Sequence, residues 1–448
     1  MSDTLVSIHT LSALDDAQRK ALLQRTESDL SAFIDKVNPI IEAVRIDGDA
    51  ALADFARQFD KAQVAADQLR ATTEEFSAAR ASIDPELITT LEFAAGNIRH
   101  FHEKQMPETL VLHETHRGVL VGDRWNAIDS VACYVPRGKG SFPSSVLMTA
   151  IPAKVAGVRK VVIITPPGPD GTVDPATLVA AEIAGVSDVF KCGGAQAIAA
   201  VAFGTQTVPK CDKVVGPGSP WVVAAKKQLS SLIDPGSPAG PSELIIFSDG
   251  SVPAELVALD LCVESEHGPD SSVFFVTDNA DFANAVASCV PALWSRMGNI
   301  RAQYSKTVLS GPRGGIVIAR TRADALAFVN DYAPEHLAVL ADNAWQYLAC
   351  FEHAGEILLG PHSAISVANF VLGPSHVLPT GGAAKTTSPL SVFDFLKRTS
   401  IASLSKEAYG GFAAHAERLA RYEGFDGHAN AVSTIRDEAL RSAAGAST

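Results

Sequence analysis

Glu264 and His267 stand three residues apart in Glu264-Ser265-Glu266-His267-Gly268-Pro269-Asp270, at the end of a segment that opens with Pro253 and carries Leu256, Leu259 and Val263. On a helix this spacing puts both side chains on one face, one turn apart, so a carboxylate oxygen and an imidazole nitrogen can converge on one cation. Gly268 and Pro269 stop such a helix with His267 at its C-terminus. A solvated helix face or a capping histidine has the same spacing, so the pair gains meaning only from groups elsewhere. Pro334-Glu335-His336 sets a carboxylate and an imidazole side by side ahead of the apolar run 337–340, where a base can be held at a strand entrance. Asn369 and His376 flank the Gly373-Pro374 turn, and His428 closes Glu423-Gly424-Phe425-Asp426-Gly427-His428.

The elements that must position these groups fall into three stretches. Residues 1 to about 110 read as mostly helical, with helical spacing over 31–45 and 50–59 and a helix over 84–102 behind Ser82 and Asp84. This part reads as scaffold; His100 and His102, alternate residues on a helix, diverge and belong to a solvated surface. From about residue 127 the apolar runs 127–135, 160–165, 188–192 and 213–215 alternate with helical segments, and 244–247, 273–277, 316–319 and 337–340 repeat the pattern. Such alternation is the signature of βαβ units, so two related parallel sheets with the active site between them are expected. Sheets of this kind bind ligands beyond the carboxyl ends of their strands, and Gly193-Gly194, Gly216 to Gly218, Glu243 and Pro334 to His336 are expected in or near those loops. From residue 380 onward a Gly381-Gly382 pair, a Lys/Thr/Ser stretch and helices over 392–397 and 406–422 form a tail too short for a large core of its own.

Composition narrows the classes further. A chain of 448 residues, 47% of them apolar, can bury a large core and should divide into more than one domain. A net charge of -13 with no Lys/Arg run argues against a nucleic-acid partner, because phosphate binding needs a dense basic surface. No apolar stretch approaches the roughly 18 residues of a membrane span, and Met1-Ser2-Asp3-Thr4 lacks a signal-peptide start; a cytoplasmic chain with no membrane partner is expected. Cysteines 133, 192, 211, 262, 289 and 350 lie in apolar contexts with no C-x-x-C pair, and read as buried free thiols of a reducing compartment. Gly193-Gly194 and Gly216-Pro217-Gly218 permit close backbone approach, but no G-x-G-x-x-G follows the first strand of either block, and from the glycines alone ordinary turns are the default reading.

Taken in order, Gly193-Gly194-Ala195-Gln196, Gly216-Pro217-Gly218, Ala239-Gly240-Pro241-Ser242-Glu243 and the three acid–histidine motifs make residues 134–430 resemble the zinc- and NAD-dependent histidinol dehydrogenase family. The resemblance implies an α/β chain of two Rossmann-like parallel-sheet domains with helical N-terminal and C-terminal extensions. Residues 1–30 would be the N-terminal extension, 31–132 plus 241–380 the main domain with the metal site, 133–240 the smaller NAD-binding domain, and 381–448 a C-terminal dimerisation tail. It further implies oxidation of a primary alcohol, L-histidinol in the first instance, through the aldehyde to the carboxylate, with two NAD in succession and one water. His336 matches the base that takes the hydroxyl proton and Glu335 the base that activates water. Zinc would be held by Glu264, His267, Asn369 and His428, the last acting across a homodimer. Substrate would meet Ser242, His336, His376, Glu423 and His428 together with the metal ligands, and NAD would meet Tyr134, Gln196 and Ser219.

Several positions depart from the family pattern. Glutamine and aspartate stand in the family where this chain has Glu264 and Asn369, so one carboxylate and one amide are kept but exchanged. Ser219 replaces an asparagine cofactor contact, and Arg137 and Lys139 make a normally neutral loop cationic, suited to phosphate or an anionic substrate group or simply to solubility. The runs 365–370 and 388–394 resemble paralogues that oxidise other small alcohols, including the sulfopropanediol dehydrogenases, which makes 2,3-dihydroxypropanesulfonate the alternative substrate. A metal- or nucleotide-binding relative without catalysis is the competing class. Keeping Glu335, His336 and Ser242 together favours an enzyme, because a binding module needs no paired acid and base.

Overall fold

The computed structural model describes residues 6–25, 30–137 and 140–445. Thirteen strands are found among them: β1 (Ile8–Thr10), β2 (Leu110–His116), β3 (Val119–Ala127), β4 (Ser130–Tyr134), β5 (Lys160–Thr165), β6 (Val189–Lys191), β7 (Lys213–Val215), β8 (Glu243–Phe247), β9 (Ser272–Thr277), β10 (Gly314–Ile318), β11 (His336–Val339), β12 (Glu356–Leu359) and β13 (Leu396–Leu404). The chain divides into two compact units, residues 1–106 with 128–395 and residues 107–127 with 396–448.

The first unit holds two parallel sheets, ordered β1-β10-β9-β8-β11-β12 and β6-β5-β4-β7. In each, three consecutive strands step one way and the next steps the other, so the order reverses between β8 and β11 and between β4 and β7. That is the doubly wound pattern expected of Rossmann-like domains. The apolar runs are continuous because both faces of each sheet are covered. Along β8, Leu244 and Ile246 pack with Val257 and Leu261 on one face, whereas Ile245 and Phe247 pack with Phe328 and Tyr332 on the other. Full burial of each such side chain contributes about 2 kcal/mol.

Four expectations change here. The N-terminal stretch is not wholly helical: β1 joins the six-stranded sheet beside β10 before the helix Asp16–Leu22 begins. Helices within 31–132 were expected with the main domain, but Val37, Ile40, Ile41 and Val44 share their buried core with Ile164, Phe190 and Ile198 of the four-stranded sheet. His100 is exposed, whereas His102 is fully buried with Nδ1 2.8 Å from Gln105 Oε1, so only one of the two belongs to a solvated surface. The fourth change concerns the strand ends. Gly193-Gly194 and Gly216 follow β6 and β7 at carboxyl ends, but Glu243 and His336 are the first residues of β8 and β11 and lie at amino ends. These motifs precede their apolar runs, and in parallel strands that order fixes the end.

The second unit is built on a three-stranded antiparallel sheet, β13-β3-β2, of which β2 and β3 occupy a stretch given no element from sequence and β13 begins at Leu396, where a helix was expected over 392–397. Leu110-Val111-Leu112 and Val119-Leu120-Val121 flank the Arg117-Gly118 turn, and Leu396 to Leu404 zips along the whole of β3. A Cβ on Gly122 would stand 1.9 Å from the Val111 carbonyl oxygen, so β2 and β3 meet this closely only because that residue is glycine. Helices Lys406–Tyr422, Asp426–Asn430 and Thr434–Gly445 follow. No helix among the described residues is long and apolar enough to cross a membrane.

Candidate functional site

The helix Ala254–Ser265 buries Val257, Ala258 and Leu261 against the six-stranded sheet and carries Glu264, 1% exposed, in its last turn. Glu264 Oε1 accepts from Asn369 Nδ2 at 2.7 Å, and Oε2 lies 3.1 Å from His267 Nδ1. His267 Nδ1 also donates to the Val263 carbonyl at 3.2 Å, and a ring held this way presents Nε2 as its lone-pair nitrogen. Asn369, on the short helix Ile365–Phe370, is buried, and its Oδ1 has no hydrogen-bond partner. Its carbonyl accepts from His376 Nδ1 at 2.7 Å, and His376 Nε2 lies 3.3 Å from Ser145 Oγ on the helix Pro143–Val155 that follows β4. Burial lowers the His376 pKa, so the neutral ring accepts the Ser145 hydroxyl proton at Nε2.

Glu335 and His336 enter β11 next to this group, both buried. Glu335 Oε2 accepts the Glu243 N–H at 2.8 Å, its Oε1 lies 3.9 Å from His336 Nε2, and His336 Nδ1 donates to Glu356 Oε2 at 3.2 Å. Burial, with Glu264 and Glu243 nearby, pushes the Glu335 carboxyl up to about 8 against the opposing pull of His336 and the Glu243 N–H. For His336 burial acts downward, but Glu335, Glu356 and Glu264 overcome it and raise the imidazole to about 9. Both shifts run upward, so the pair holds its protons through neutral pH and must release one before either group acts as a base. On Glu264 burial acts upward, yet His267, His336 and hydrogen bonds from Asn369 and Ser242 keep its pKa below the ordinary carboxylate value. Buried Asn369 Oδ1 without a partner costs about 1–3 kcal/mol unless something electropositive meets it. Among the described residues no three His, Cys, Asp or Glu side chains group as a metal site. What meets Glu264 is His267 Nδ1 and the Asn369 amide nitrogen; a carboxylate, an imidazole and an amide with a free Oδ1 are ligand types that fit a borderline cation such as zinc.

The second cluster lies at the carboxyl ends of β4 and β7. Tyr134 Oη accepts from the Gly194 N–H at 3.2 Å, and burial pushes the phenol up to about 12, so it keeps its own proton to donate. Gly216, at φ +107°, would place a Cβ 2.2 Å from the Tyr134 carbonyl oxygen, which is why the backbone of the two strands can close together there. Gln196 is buried on the helix Gly194–Phe203, and Ser219 is exposed at the start of the helix Pro220–Gln228. Lys226 on that helix donates to the Gly216 carbonyl at 2.9 Å, and burial lowers its ammonium pKa to about 8. Arg137 Nη1 donates to the Thr172 carbonyl at 3.3 Å beside Asp170 and Asp60, on the side of this second cluster; Lys139 lies outside the described residues.

Glu264, His267, Asn369, Ser242, Glu335, His336 and His376 thus gather in one place. Glu423 and His428 belong to the second unit, where both are exposed and His428 packs its ring 5.2 Å from that of Phe425. Residues the sequence reading missed are Glu356, Ser145, Lys226 and Glu243's acidic side chain. Their only signal is a charged or polar residue within an otherwise apolar run, which reads as a strand or helix end until the partner is seen.

A doubly wound chain with a buried acid–histidine pair and a glycine-lined strand end has the parts of a nucleotide-dependent oxidoreductase. The profile of the histidinol dehydrogenase family matches residues 23–436. "Histidinol dehydrogenase homolog" of Colwellia psychrerythraea is 56% identical over 437 residues, covering 98% of both chains. "Histidinol dehydrogenase" of a Synechocystis strain is 42% identical over 428 residues, covering 96% of this chain and 98% of the relative. The crystal structure of histidinol dehydrogenase from Elizabethkingia anophelis superimposes with a TM-score of 0.91 at 31% identity, covering 97% of this chain and 99% of that one. The chain belongs to the histidinol dehydrogenase family, and with it to the NAD-dependent dehydrogenases.

Proposed function

We propose that this chain oxidises a small primary alcohol through the aldehyde to a carboxylate, with L-histidinol as the first substrate to test. The observation that carries the proposal is the buried group of Glu335, His336, Glu264, His267 and Asn369, in which a base pair with raised proton affinity abuts a donor set with an unsatisfied amide oxygen. Glu264, His267 and Asn369, with His428 of the partner subunit, would hold zinc, which when bound polarises and orients the substrate oxygen. Tyr134, Gln196 and Ser219 would hold NAD, which when bound supplies the hydride acceptor. His336, fixed through Nδ1 by Glu356, takes the hydroxyl proton in each oxidation. Glu335, fixed through Oε2, takes a proton from the water that attacks the aldehyde. Ser242, His376 and Glu423 line and orient the substrate.

The domain roles follow from the same reading: 133–240, with the helix Ser31–Asp47 packed on its core, for the cofactor, 241–380 for the metal and substrate, and 381–448 for dimerisation. Leu419, Tyr422, Phe425, Ile435 and Leu440 in the second unit are 51–90% exposed, which supports a homodimer that covers them. The cytoplasmic assignment rests on free cysteines, of which Cys133, Cys192, Cys211 and Cys262 are buried, although Cys350 is exposed. A second reading, oxidation of an anionic alcohol such as 2,3-dihydroxypropanesulfonate, is favoured by Arg137, by Ser219 and by the exchanged Glu264 and Asn369. Four relatives at 52–56% identity are named histidinol dehydrogenase homologs, whereas four with the unqualified name are 39–42% identical. NADH formation by zinc-loaded protein with the two alcohols in parallel tests this: preference for the sulfonate rejects histidinol, and no turnover of a panel of alcohols with normal NAD binding favours a non-catalytic relative.

A further inference from the structure

The N-terminal segment reads as scaffold, yet one of its side chains is buried beneath the acid–histidine pair. Arg25, three residues past the helix Asp16–Leu22, has a side chain 9% exposed. Its Nε donates to Glu243 Oε1 at 3.0 Å, its Nη2 to the Tyr332 carbonyl at 2.5 Å and its Nη1 to the Leu23 carbonyl, while the guanidinium carbon lies 3.4 Å from the centre of the Tyr332 ring. Tyr332 ends the helix Arg322–Tyr332, and Ala333 turns the chain with φ +51° into Pro334 and Glu335. A non-glycine residue in that region is held only where its surroundings fix it, and the Arg25 bond to the preceding carbonyl is one such restraint.

Glu243 completes the bridge. Its Oε1 also accepts the Gly381 N–H at 2.7 Å, and its own backbone N–H donates to Glu335 Oε2. One planar guanidinium therefore ties together the entrance of β8, the turn into β11 and, through Glu243, the loop at Gly381, with Glu335 seated between them. Burying such an ion pair costs desolvation that its attraction only partly offsets, so net stability is a poor reason for it, and fixed register is a better one. Glu243 Oε2 is buried with no hydrogen-bond partner, so without Arg25 the carboxylate keeps only the Gly381 N–H and has strong reason to move.

We propose that Arg25 and Glu243 are positioning residues for Glu335, making the N-terminal segment part of the catalytic apparatus; this rests on Glu335 acting as the base for water. The test measures alcohol oxidation and oxidation of directly supplied aldehyde in Arg25→Ala, Arg25→Lys, Glu243→Gln and, as reference, Glu335→Gln. A displacement of Glu335 by about 1 Å is expected to lower kcat for the aldehyde step on the order of 100-fold in Arg25→Ala, with KM and NAD binding near native. Millimolar guanidinium should restore part of that kcat, and Arg25→Lys, which keeps the charge but not the fork, should fall between. Should Arg25→Ala yield no folded protein, Glu243→Gln, which keeps the backbone N–H and the side-chain volume, must still show a fall of about tenfold. Glu335→Gln slow in the aldehyde step beside a native-rate Glu243→Gln and Arg25→Lys overturns the positioning role. Glu335→Gln at the native rate instead rejects the base itself, and the proposal with it.

Discussion

Asn369→Asp puts a second carboxylate where Asn369 Nδ2 now donates to Glu264 Oε1 at 2.7 Å, in a place where both side chains are buried. Two unit charges about 4 Å apart repel by about 4 kcal/mol at an effective dielectric constant near 20. Loss of a hydrogen bond to a charged acceptor adds about 2 kcal/mol. Metal-free variant should therefore unfold in urea with about 4–6 kcal/mol less stability, the lower figure allowing for relaxation around the site. A divalent cation between the two carboxylates converts that repulsion to attraction, so zinc should stabilise Asn369→Asp much more than the parent. Glu264→Gln alone leaves amides and imidazoles facing a dication and should bind zinc more weakly, whereas Glu264→Gln with Asn369→Asp regains one carboxylate and should bind more tightly than Glu264→Gln. The two changes share one ion and should be strongly non-additive. Urea denaturation of chelator-treated protein, repeated with zinc and paired with measured metal content, reads all of this. Additive, near-neutral effects would mean that the residues do not meet, and equal zinc stabilisation of parent and Asn369→Asp would mean that they meet without a metal.

Three further predictions follow from particular contacts. His336→Asn should slow both oxidations, whereas Glu335→Gln should slow the aldehyde step more than the alcohol step, measured with aldehyde supplied directly; equal effects on both steps would reject the division of labour. Mixing inactive His428→Ala and His336→Asn chains should recover part of the activity through heterodimers with one intact site, and no recovery in a mixture shown to contain heterodimers would place His428 outside the partner's site. Burial pushes Asp260 up to about 6 from 3.8, so the folded state binds more protons between those values and loses stability as pH rises through them. Asp260→Asn removes that cost: it should be more stable than the parent by roughly 2–3 kcal/mol at pH 8 and equal to it near pH 4, as read by urea denaturation, and a pH-independent difference would contradict the assignment.

The sheets were legible because β8, β9, β10 and β11 are covered on both faces, and continuous runs such as Leu244-Ile245-Ile246-Phe247 follow directly from that covering. Glu264 and His267 were legible from helical spacing, and the bond from Asn369 to Glu264 brings in a residue 105 positions away. What a run of apolar residues does not carry is direction: Glu243 and His336 stand at amino ends because they precede their runs, while the carboxyl ends of β8 and β9 are closed by a structural network in which Arg322 pairs with Asp278 at 3.0 Å and Tyr347 donates to Asp249 at 2.7 Å. The antiparallel sheet was missed because β13 pairs with β3 across some 270 residues, and Leu396-Lys397-Arg398-Thr399 has neither a strong alternation nor a turn partner nearby. Arg25 was missed for a related reason: a lone arginine after a short helix has no local pattern, and only the fold brings Glu243, 218 positions on, within reach.

The most direct test of the central claim is the count of NADH formed per alcohol consumed by zinc-loaded protein, with the product identified by mass spectrometry. Two NADH per alcohol and a carboxylate product are expected if, as proposed, Glu335 and His336 together serve both an alcohol oxidation and a water-dependent aldehyde oxidation. One NADH per alcohol with free aldehyde accumulating would contradict the role given to Glu335, and with it the reading of this buried pair as the centre of a two-step dehydrogenase.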